Sequence, residues 1–523
     1  MSAPGRVYLV GAGPGDPGLL TRRGEAVLSR ADVVVYDHLA SGRLLDLAPR
    51  EAVRICAGKS VGHCTMTQDE IHQVLIEHAR AGRSVVRLKG GDPLVFGRGA
   101  EEAAYLHAAG VPFEIVAGVT AGVGVTAAAG IPVTHRAAAS AVAYVTGHSD
   151  PEAESDGSRL DWAALARFPG TLVVYMGVTH LAAICRTLIR QGKPGETPAA
   201  IIESGTLAAQ RTRVATLASL PEVARQAEVK PPALLVIGAV VGLRGPLAWF
   251  ERLPLFGQRI VVTRPAGEAE RGADVLEALG AEAILAPTVE VRRLVDPGPL
   301  DAAIDRLPEF DWLVFTSSHG VRFFLQRLEE RGRDLRALGQ LRLAAIGPTT
   351  AEALAQFHLR ADLVPDSYRS EALAEALGRQ ASGRKILLAR ADRGRTLLRD
   401  ELEHLAEVHQ VAVYHNADVE TLPDSVTARI LDGSVDWITL TSSAIAARLH
   451  ALLPEAARRC IGPDVRLASL SPVTSQTAAR LGWDVAVEAV EYTWEGLVQA
   501  LTQRVGSERR EASPPGTHPA APG

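Results

Sequence analysis

The sequence contains little lysine, cysteine and methionine and few aromatic residues. Lysine occurs at five positions although lysine and arginine together number 55, so arginine carries almost all of the positive charge. The four cysteines include no Cys-x-x-Cys pair, which excludes a disulfide framework and a zinc knuckle. A net charge of −5 without basic runs excludes a nucleic-acid partner. Because no apolar run of about 18 residues occurs, we expect no membrane segment and a cytoplasmic protein.

The sequence does have the length and composition of several globular domains. At roughly 100–200 residues per domain, 523 residues predict three to four domains, and 47% apolar with 22% charged residues is an ordinary globular balance. Strand-like runs alternate with amphipathic helices through residues 1–245, which predicts an α/β structure with subdomains of about 1–116 and 117–245. A linker is expected at 246–256. The Pro/Gly/Ser/Ala-rich residues 506–523 are expected to form a disordered tail.

Between the linker and the tail the sequence repeats itself. The segment DWLVFTSS, which begins at Asp311, recurs 125 residues later as DWITLTSS, beginning at Asp436. RIVVTR is matched by KILLAR, and LAAIGP by LASLSP. The repeat predicts two copies of one α/β unit, and two similar lobes that face a cleft form a natural binding site at their boundary.

A glycine-rich loop, Gly11–Gly18, follows the first predicted strand and precedes a helix, as a nucleotide-binding loop does. The dinucleotide fingerprint requires glycine at its sixth position, where Asp16 stands, and two prolines in the loop remove backbone N–H donors. NAD binding stays an alternative because Asp37 ends the next strand, where a ribose-binding carboxylate would lie. The small-residue loops KGGDP (89–93) and TAG (120–122) are expected to line the same crevice.

The N-terminal half carries, in this order, the segments GAGPGDPGLLT, VVVYDHL, GKSVGHCTMTQDEI, RLKGGDPLVFGRG, GIPVTHR, YMG and PAAIIESGTLAAQR. In these segments and their order it resembles the S-adenosylmethionine-dependent tetrapyrrole methyltransferases. The resemblance covers nearly all of residues 5–245 and is closest to uroporphyrinogen-III C-methyltransferase. It implies a two-domain methylase with S-adenosylmethionine in the interdomain cleft, two methylations of uroporphyrinogen III to precorrin-2 for sirohaem or cobalamin, and a homodimer through this half.

The resemblance also implies roles for particular residues. Asp37 matches the proton acceptor of the family and Lys59 its proton donor, whereas Ser60 replaces an arginine that the family often carries. Taken alone, Asp37 could cap a strand end and Lys59 could be a solvated surface charge. His72 and His78 point about 120° apart on one helix, so no metal site is expected. The positions that match contacts to S-adenosylmethionine are Pro14, Gly90, Gly91, Asp92, Val95, Thr120, Ala121, Met176 and Gly205.

In the C-terminal half, a predicted strand twice ends in Thr-Ser-Ser before an amphipathic helix. Hydroxyl and free N–H groups at a helix N-terminus can bind anions, although ordinary N-capping is the simpler interpretation of one copy. Two copies facing one cleft indicate a ligand with several anionic arms. The candidate substrate-binding residues are Arg264, Thr316, Ser317, Ser318, Arg390, Thr441, Ser442 and Ser443.

This half resembles uroporphyrinogen-III synthase, through RIVVTRP, FTSSHGV, AAIGPTTAEAL, VPDSYRSEALAEAL, KILLARAD and TSSAI over about residues 257–502. The resemblance implies closure of the linear tetrapyrrole hydroxymethylbilane to uroporphyrinogen III without a cofactor. It also implies two flavodoxin-like lobes, about 257–292 with 416–502, and 293–415. Tyr368 matches the family's best candidate for assisting loss of the hydroxyl. Because LSP (470–472) replaces the common Ile-Gly-Pro, a catalytically inactive tetrapyrrole-binding module is the alternative.

Overall fold

The computed structural model describes residues 5–37, 42–49, 51–58, 66–152, 160–367, 370–393 and 396–512. The chain forms two compact units. The first unit contains residues 1–259, 276–282 and 508–523, and the second contains residues 260–275 and 283–507.

The first unit begins with a parallel five-stranded sheet. Its strands are β1 (Val7–Gly11), β2 (Val33–Tyr36), β3 (Val53–Cys56), β4 (Val85–Lys89) and β5 (Phe113–Val116). Its helices are α1 (Arg22–Leu28), α2 (Gly42–Leu45), α3 (Gln68–Arg80) and α4 (Gly99–Ala108). The strand order is β3-β2-β4-β1-β5, so β1 pairs with both β4 and β5. The loops that follow these three strands therefore leave from one edge of the sheet, where α/β proteins bind ligands.

Local sequence explains how helix α3 forms. A capping box starts the helix: the backbone N of Glu70 donates to Oγ1 of Thr67 (3.2 Å), and the backbone N of Thr67 donates to Oε2 of Glu70 (2.6 Å). The helix then buries Ile71, Leu75 and Ala79, which lie three or four residues apart and so share one face.

The second sheet of the first unit is mixed. Its strands are β6 (Val142–Thr146), β7 (Thr171–Tyr175), β8 (Pro198–Glu203), β9 (Arg211–Thr216) and β10 (Ala233–Ile237), in the order β6-β7-β10-β8-β9. Its helices are α5 (Ala121–Ala128), α6 (Trp162–Arg167), α7 (Leu181–Arg190), α8 (Leu220–Gln226) and α9 (Arg244–Leu247). β6 and β7 are parallel, whereas β10 runs antiparallel to both of its neighbours.

The segment predicted to be a linker, 246–256, is a packed part of the first unit. It contains the end of α9 and a 3₁₀ turn at Phe250–Arg252, and both Phe250 and Leu255 are buried. Trp249 donates from Nε1 to the main-chain oxygen of Ala127 (3.0 Å). The linker prediction is corrected, because these apolar side chains bury surface that a linker would leave in water.

The other ten of the twenty described strands lie in the second unit, apart from single end residues of two of them. They are β11 (Arg259–Val262), β12 (Glu282–Leu285), β13 (Val289–Arg292), β14 (Trp312–Phe315), β15 (Arg342–Ala345), β16 (Lys385–Ala391), β17 (Glu407–Asp418), β18 (Trp437–Leu440), β19 (Arg466–Ser469) and β20 (Val485–Glu488). The helices are α10 (Glu268–Ala278), α11 (Gly298–Asp305), α12 (Ser318–Glu330), α13 (Pro348–Ala355), α14 (Ser370–Ala381), α15 (Leu397–Glu403), α16 (Asp424–Leu431), α17 (Ser443–Leu452), α18 (Glu455–Cys460), α19 (Pro472–Arg480) and α20 (Trp494–Ala512). The first residues of β11 and β12 belong to the first unit, and helices α10 and α20 end in the first unit.

These strands form two sheets, which define two lobes. Lobe A has the order β12-β11-β18-β19-β20, the flavodoxin-like arrangement, and lobe B has the order β13-β17-β16-β14-β15. Each lobe therefore combines strands from distant parts of the chain. β13 pairs antiparallel with β17, so residues 289–292 belong to lobe B, whereas the sequence placed them at the end of the other lobe's first segment.

The internal repeat is visible in the register of the sheets. Trp312 of β14 pairs with Ile386 of β16, and Trp437 of β18 pairs in the same way with Ile260 of β11. The two tryptophans also share a partner type: the guanidinium carbon of Arg342 lies 4.3 Å from the ring centroid of Trp312, and an arginine of β19 lies 4.0 Å from that of Trp437.

The tail prediction differs from the structure over part of its length, because α20 continues through Ala512. Arg509 and Arg510 occupy its last turn, where positive side chains interact favourably with the helix dipole. Among the described residues, no helix combines the length and apolar character needed to cross a membrane.

Candidate functional site

Three loops of the first sheet meet in main-chain contact. A Cβ atom added to Gly118 would lie 2.3 Å from the carbonyl oxygen of Gly91, and one added to Gly11 would lie 2.5 Å from Cα of Gly118. Gly13 and Gly91 exchange two main-chain hydrogen bonds of 3.2 and 2.7 Å. Gly91 also has a left-handed φ of +70°, which favours glycine. The loops after β1, β4 and β5 therefore pack main chain against main chain, and a side chain at Gly11 or Gly118 would force them apart.

Asp92 connects two of these loops. Its Oδ1 accepts a hydrogen bond from the backbone N of Leu94 (2.8 Å), and its Oδ2 accepts one from the backbone N of Gly118 (3.0 Å). The neighbouring candidates Gly90 and Val95 are half-buried in the same turn. Asp92 thus shapes the loop with both of its carboxylate oxygens.

The second sheet contributes Thr120, Ala121 and Met176. Thr120 and Ala121 begin α5, and the Tyr175 hydroxyl lies 2.7 Å from Oγ1 of Thr120 and accepts from the backbone N of Gly122 (2.6 Å). Burial raises the pKa of Tyr175, so its hydroxyl stays protonated and keeps both contacts. Met176, the next residue, is half-exposed at a left-handed φ of +55°. A non-glycine residue in this region is a strained feature typical of functional sites.

Gly205 lies in a strained loop that contacts the first glycine-rich loop. Its neighbours Ser204 and Thr206 have φ values of +49° and +70°. Oγ1 of Thr206 accepts a hydrogen bond from the backbone N of Asp16 (3.0 Å) and donates to the carbonyl oxygen of Pro14 (3.3 Å). Pro14 and Gly205, which the sequence separates widely, are therefore brought together.

A chain of hydrogen bonds supports this loop from behind. The backbone N of Thr206 donates to Oε1 of Gln210 (2.8 Å), and Nε2 of Gln210 donates to Oε1 of Glu251 (3.0 Å). Glu251 also accepts from Oγ1 of Thr212 (2.5 Å) and from Nη2 of Arg244 (2.5 Å). Burial by itself would raise the pKa of Glu251, but these three hydrogen bonds outweigh it and lower the pKa.

Asp37 lies at the end of β2 and forms an ion pair with a buried residue. Nη2 of Arg87 lies 2.6 Å from Oδ1 of Asp37, whose side chain is 30% exposed, whereas that of Arg87 is 3% exposed. Lys59, the other candidate for acid–base chemistry in this half, lies outside the described residues. The carboxylate of Asp37 is thus partly exposed and is held by the guanidinium of Arg87.

Sequence reasoning missed several of these supporting residues. They are Arg87, Tyr175, Thr206, Gln210 and Glu251. One signal was available, because Arg87 and Lys89 interrupt an apolar strand whose five residues are all buried. A charged residue in a buried strand requires a partner, but the sequence does not say which one.

In the second unit, the two Thr-Ser-Ser turns cap helices. The side chain of Ser317 accepts from the backbone N of Gly320 (2.9 Å), and that of Ser442 accepts from the backbone N of Ile445 (3.2 Å). The predicted residues Thr316 and Thr441 directly precede these caps, and Ser318 and Ser443 are the first helical residues. Both turns therefore present the first backbone N–H groups of α12 and α17.

A polar cluster lies where lobe A contacts lobe B. Nη2 of Arg264 lies 2.7 Å from Oε2 of Glu268, and Nδ1 of His319 lies 3.5 Å from Oε1 of the same carboxylate. The hydroxyls of Ser317 and Tyr414 lie 3.0 Å apart. Burial lowers the pKa of His319 and raises that of Tyr414. Arg264 and Ser317, predicted from different lobes, thus lie in one cluster.

Two candidates of this half remain, Arg390 and Tyr368. Arg390 is buried in β16 of lobe B. Tyr368 lies outside the described residues.

Comparison with known proteins gives the class of each part of the chain. Residues 6–221 match the family Tetrapyrrole (Corrin/Porphyrin) Methylases, and residues 270–499 match Uroporphyrinogen-III synthase HemD. The protein is therefore an enzyme of tetrapyrrole biosynthesis that joins a methylase to a synthase.

The chain is 36% identical over 446 residues to the porphyrin biosynthesis protein HemD of Ruminiclostridium josui, with 84% of this chain and 87% of that protein aligned. It belongs to the family of that protein. Siroheme synthase 1 of Yersinia pseudotuberculosis is 52% identical over 252 residues, which are 48% of this chain and 52% of the relative. The chain thus spans about half the length of the siroheme synthases that it matches.

Among solved structures, a uroporphyrin-III C-methyl transferase from Thermus thermophilus, complexed with S-adenyl homocysteine, is 44% identical to this chain. The match covers 46% of this chain and all of the other, with a TM-score of 0.39.

Proposed function

We propose that the protein catalyses two successive steps. The second unit closes hydroxymethylbilane to uroporphyrinogen III, and the first unit methylates uroporphyrinogen III twice, with S-adenosylmethionine, to give precorrin-2 for sirohaem or cobalamin. The observation that carries the proposal is that one chain holds members of both families, because the product of the proposed synthase reaction is the substrate of the proposed methylation. Both substrates are small tetrapyrroles.

The loops of the first unit fit a bound S-adenosylmethionine. The close contact of the loops that carry Gly11, Gly91 and Gly118 supports this, because a Cβ atom at Gly11 or Gly118 would clash with the neighbouring main chain and push the loops apart. The residues that would hold the cofactor are Pro14, Gly90, Gly91, Asp92, Val95, Thr120, Ala121, Met176 and Gly205. When bound, the cofactor supplies a methyl group on a positively charged sulfur.

The residues of the chain would mainly orient the reactants and accept a proton. An electron-rich pyrrole carbon needs no protein nucleophile, so alignment and exclusion of water provide most of the acceleration. Asp37, paired with Arg87, would accept a proton from the tetrapyrrole or stabilise positive charge that develops on it. Lys59 would return a proton.

In the second unit, the proposed substrate is bound through its carboxylates. These carboxylates would receive hydrogen bonds from the backbone N–H groups at the start of α12 and α17 and from the hydroxyls of Thr316, Ser318, Thr441 and Ser443. Ser317, Ser442, Arg264 and Arg390 complete the proposed binding set, and Tyr368 would assist loss of the hydroxyl group. No cofactor takes part in this step.

Incubation of the full chain with hydroxymethylbilane, with and without S-adenosylmethionine, tests both steps. We expect the type III isomer without the cofactor and precorrin-2 with it, measured by isomer-resolving chromatography and mass spectrometry. Only the type I isomer, formed spontaneously, would contradict the synthase assignment and favour an inactive tetrapyrrole-binding module. If uroporphyrinogen III is supplied directly with S-adenosylmethionine and is not methylated, the methylase assignment is contradicted.

The proposal also covers the cellular location and the oligomeric state of the enzyme. The resemblance of the first unit to tetrapyrrole methyltransferases supports a cytoplasmic protein that dimerises through the methylase half. Sedimentation equilibrium of the full chain tests the dimer, and cell fractionation tests the location.

A further inference from the structure

Four charged side chains form a cluster at the first sheet, and three of the four are buried. We call Asp37, Arg87, Lys89 and Glu102 the buried ion cluster. Arg87 and Lys89 are two residues apart on β4, so their side chains point to the same face of the sheet. Both are 3% exposed, and Glu102, in the first turn of α4, is fully buried.

Glu102 is the common partner of both cations. Its Oε1 lies 2.8 Å from Nζ of Lys89 and 3.4 Å from Nε of Arg87, and it also accepts from Nε2 of Gln68 (3.1 Å). Burial, and next the charge of Arg87, lower the pKa of Lys89, whereas the charge and the hydrogen bond of Glu102 raise it. Removal of one member would leave a buried charge without its counter-ion, which is strongly unfavourable.

The cluster has two ends, and each end leads to a different part of the proposed methylase site. At one end Arg87 holds Asp37, and its Nη1 also donates to the carbonyl oxygens of Val35 and Leu88 (3.4 Å each), which restrains the guanidinium. At the other end Lys89 is followed immediately by the loop that contains Gly91.

We propose that Arg87 is the positioning residue of Asp37, and that Glu102 couples Asp37 to the loop of residues 90–92. The inference rests on the proposed methyltransferase function and gives individual roles to Arg87 and Glu102, which the sequence analysis did not. In this arrangement Arg87, which pairs with the carboxylate that handles the proton, and Lys89, which precedes the loop that binds the methyl donor, share Glu102 as their buried counter-ion. A change at Glu102 must therefore affect both, whereas a change at Arg87 affects the proton-handling side.

Two variants of the full chain separate these roles. Arg87→Met removes a charge-assisted hydrogen bond to Asp37 and is expected to lower kcat for methylation of uroporphyrinogen III about 30-fold. The KM for S-adenosylmethionine and the Kd for S-adenosylhomocysteine, measured by calorimetry, should stay within about twofold. Glu102→Gln should lower kcat and also weaken S-adenosylhomocysteine binding, each about tenfold.

Two further variants serve as controls. Arg87→Lys retains the charge and should recover part of the lost kcat, which carries the test if Arg87→Met does not fold. Lys193→Met removes another buried cation of the same unit, whose Nζ donates to the carbonyl oxygen of Phe168 (3.2 Å), and should leave kcat and Kd unchanged.

Three results would overturn the inference. They are an unchanged kcat in Arg87→Met, an equal loss in the Lys193→Met control, and wild-type S-adenosylhomocysteine binding in folded Glu102→Gln. A wild-type chain that binds S-adenosylhomocysteine but does not methylate uroporphyrinogen III would instead contradict the proposed function. The calorimetric comparison of Glu102→Gln with the wild type would still test the coupling to the loop.

Discussion

Oε1 of Glu251 accepts a 3.0 Å hydrogen bond from Nε2 of Gln210, 41 residues earlier in the chain. Gln210 in turn accepts from the backbone N of Thr206, whose hydroxyl contacts the main chain of Pro14 and Asp16. A residue from the segment expected to be a linker thus supports the loop that carries Gly205. The methylase unit therefore extends beyond the boundary at residue 245 that the sequence predicts.

Glu251→Ala is expected to weaken the proposed cofactor site without removing any residue that lines it. Gln210, Thr212 and Arg244 would each lose a buried partner, which should lower the free energy of unfolding of the first unit by about 2–3 kcal/mol. Calorimetry should show an S-adenosylhomocysteine Kd about tenfold higher. Glu222→Ala, which removes an exposed carboxylate paired with Arg225, is the control and should change neither quantity. Equal effects of the two substitutions would contradict this role of Glu251.

The lowered pKa of Glu251 predicts a pH dependence of stability. A carboxylate whose folded pKa lies below its unfolded value stabilises the fold above the unfolded value, and the contribution is lost as the pH falls through the folded pKa. The difference in stability between the wild type and Glu251→Gln should therefore be constant at neutral pH. It should shrink as the pH falls below the ordinary glutamate value of 4.5. Urea unfolding at pH 7, 5 and 4 measures this difference in stability. A difference that grew on acidification would contradict a lowered pKa of Glu251 in the folded protein.

Gly205 should not tolerate a side chain, because Val125 occupies the position that its Cβ atom would take. A Cβ at Gly205 would lie 2.3 Å from Cγ1 of Val125, so Gly205→Ala should cost about 1–3 kcal/mol and weaken S-adenosylhomocysteine binding. The double variant Gly205→Ala/Val125→Ala should bind more tightly than the single variant, because the clash is relieved. Gly242→Ala, at a glycine with open space around its Cβ position, should be neutral. Purely additive effects of the two substitutions would show that the clash does not govern binding.

Cys185 should resist alkylation in the native protein. Burial raises the pKa of its thiol to about 12, so at pH 8 only about one molecule in ten thousand carries the reactive thiolate. Iodoacetamide at pH 8 followed by peptide mass spectrometry should leave Cys185 unmodified in buffer and modify it fully in urea. Cys460, which is partly exposed, serves as the internal comparison and should react faster in buffer. Equal native rates for the two thiols would contradict the prediction.

Substitutions at Ser317 and Ser442 separate helix capping from substrate binding. Alanine at either N-cap should lower the stability of the second unit by about 1 kcal/mol, whereas glycine costs only a few tenths. If the hydroxyls also bind carboxylates, Ser317→Gly and Ser442→Gly should each raise the KM for hydroxymethylbilane about fivefold while the protein remains stable. An isomer-resolved synthase assay measures this. A KM that changes with alanine but not with glycine would assign the hydroxyls to capping alone.

Much of the fold could be predicted because its signals are local. Buried strands such as β2 read as apolar runs, the Thr67–Glu70 capping box marks the start of α3, and the repeated Asp-Trp segments locate β14 and β18. The glycine loops could be placed at strand ends for the same reason. The partner of β13 could not be predicted, because a short strand of alternating exposure carries no information about which sheet it joins.

The sequence by itself determined the α/β layers, the internal repeat and the loops of small residues, since each depends on the spacing of residues within one segment. Only the tertiary structure decided which charges meet: that Arg87 holds Asp37, that Glu102 serves both Arg87 and Lys89, and that Glu251 supports the loop of Gly205. These contacts join residues far apart in the chain, and they form only where strand order and helix packing bring buried polar groups within hydrogen-bond distance. A buried charge in the sequence shows that a partner must exist, and the fold selects it.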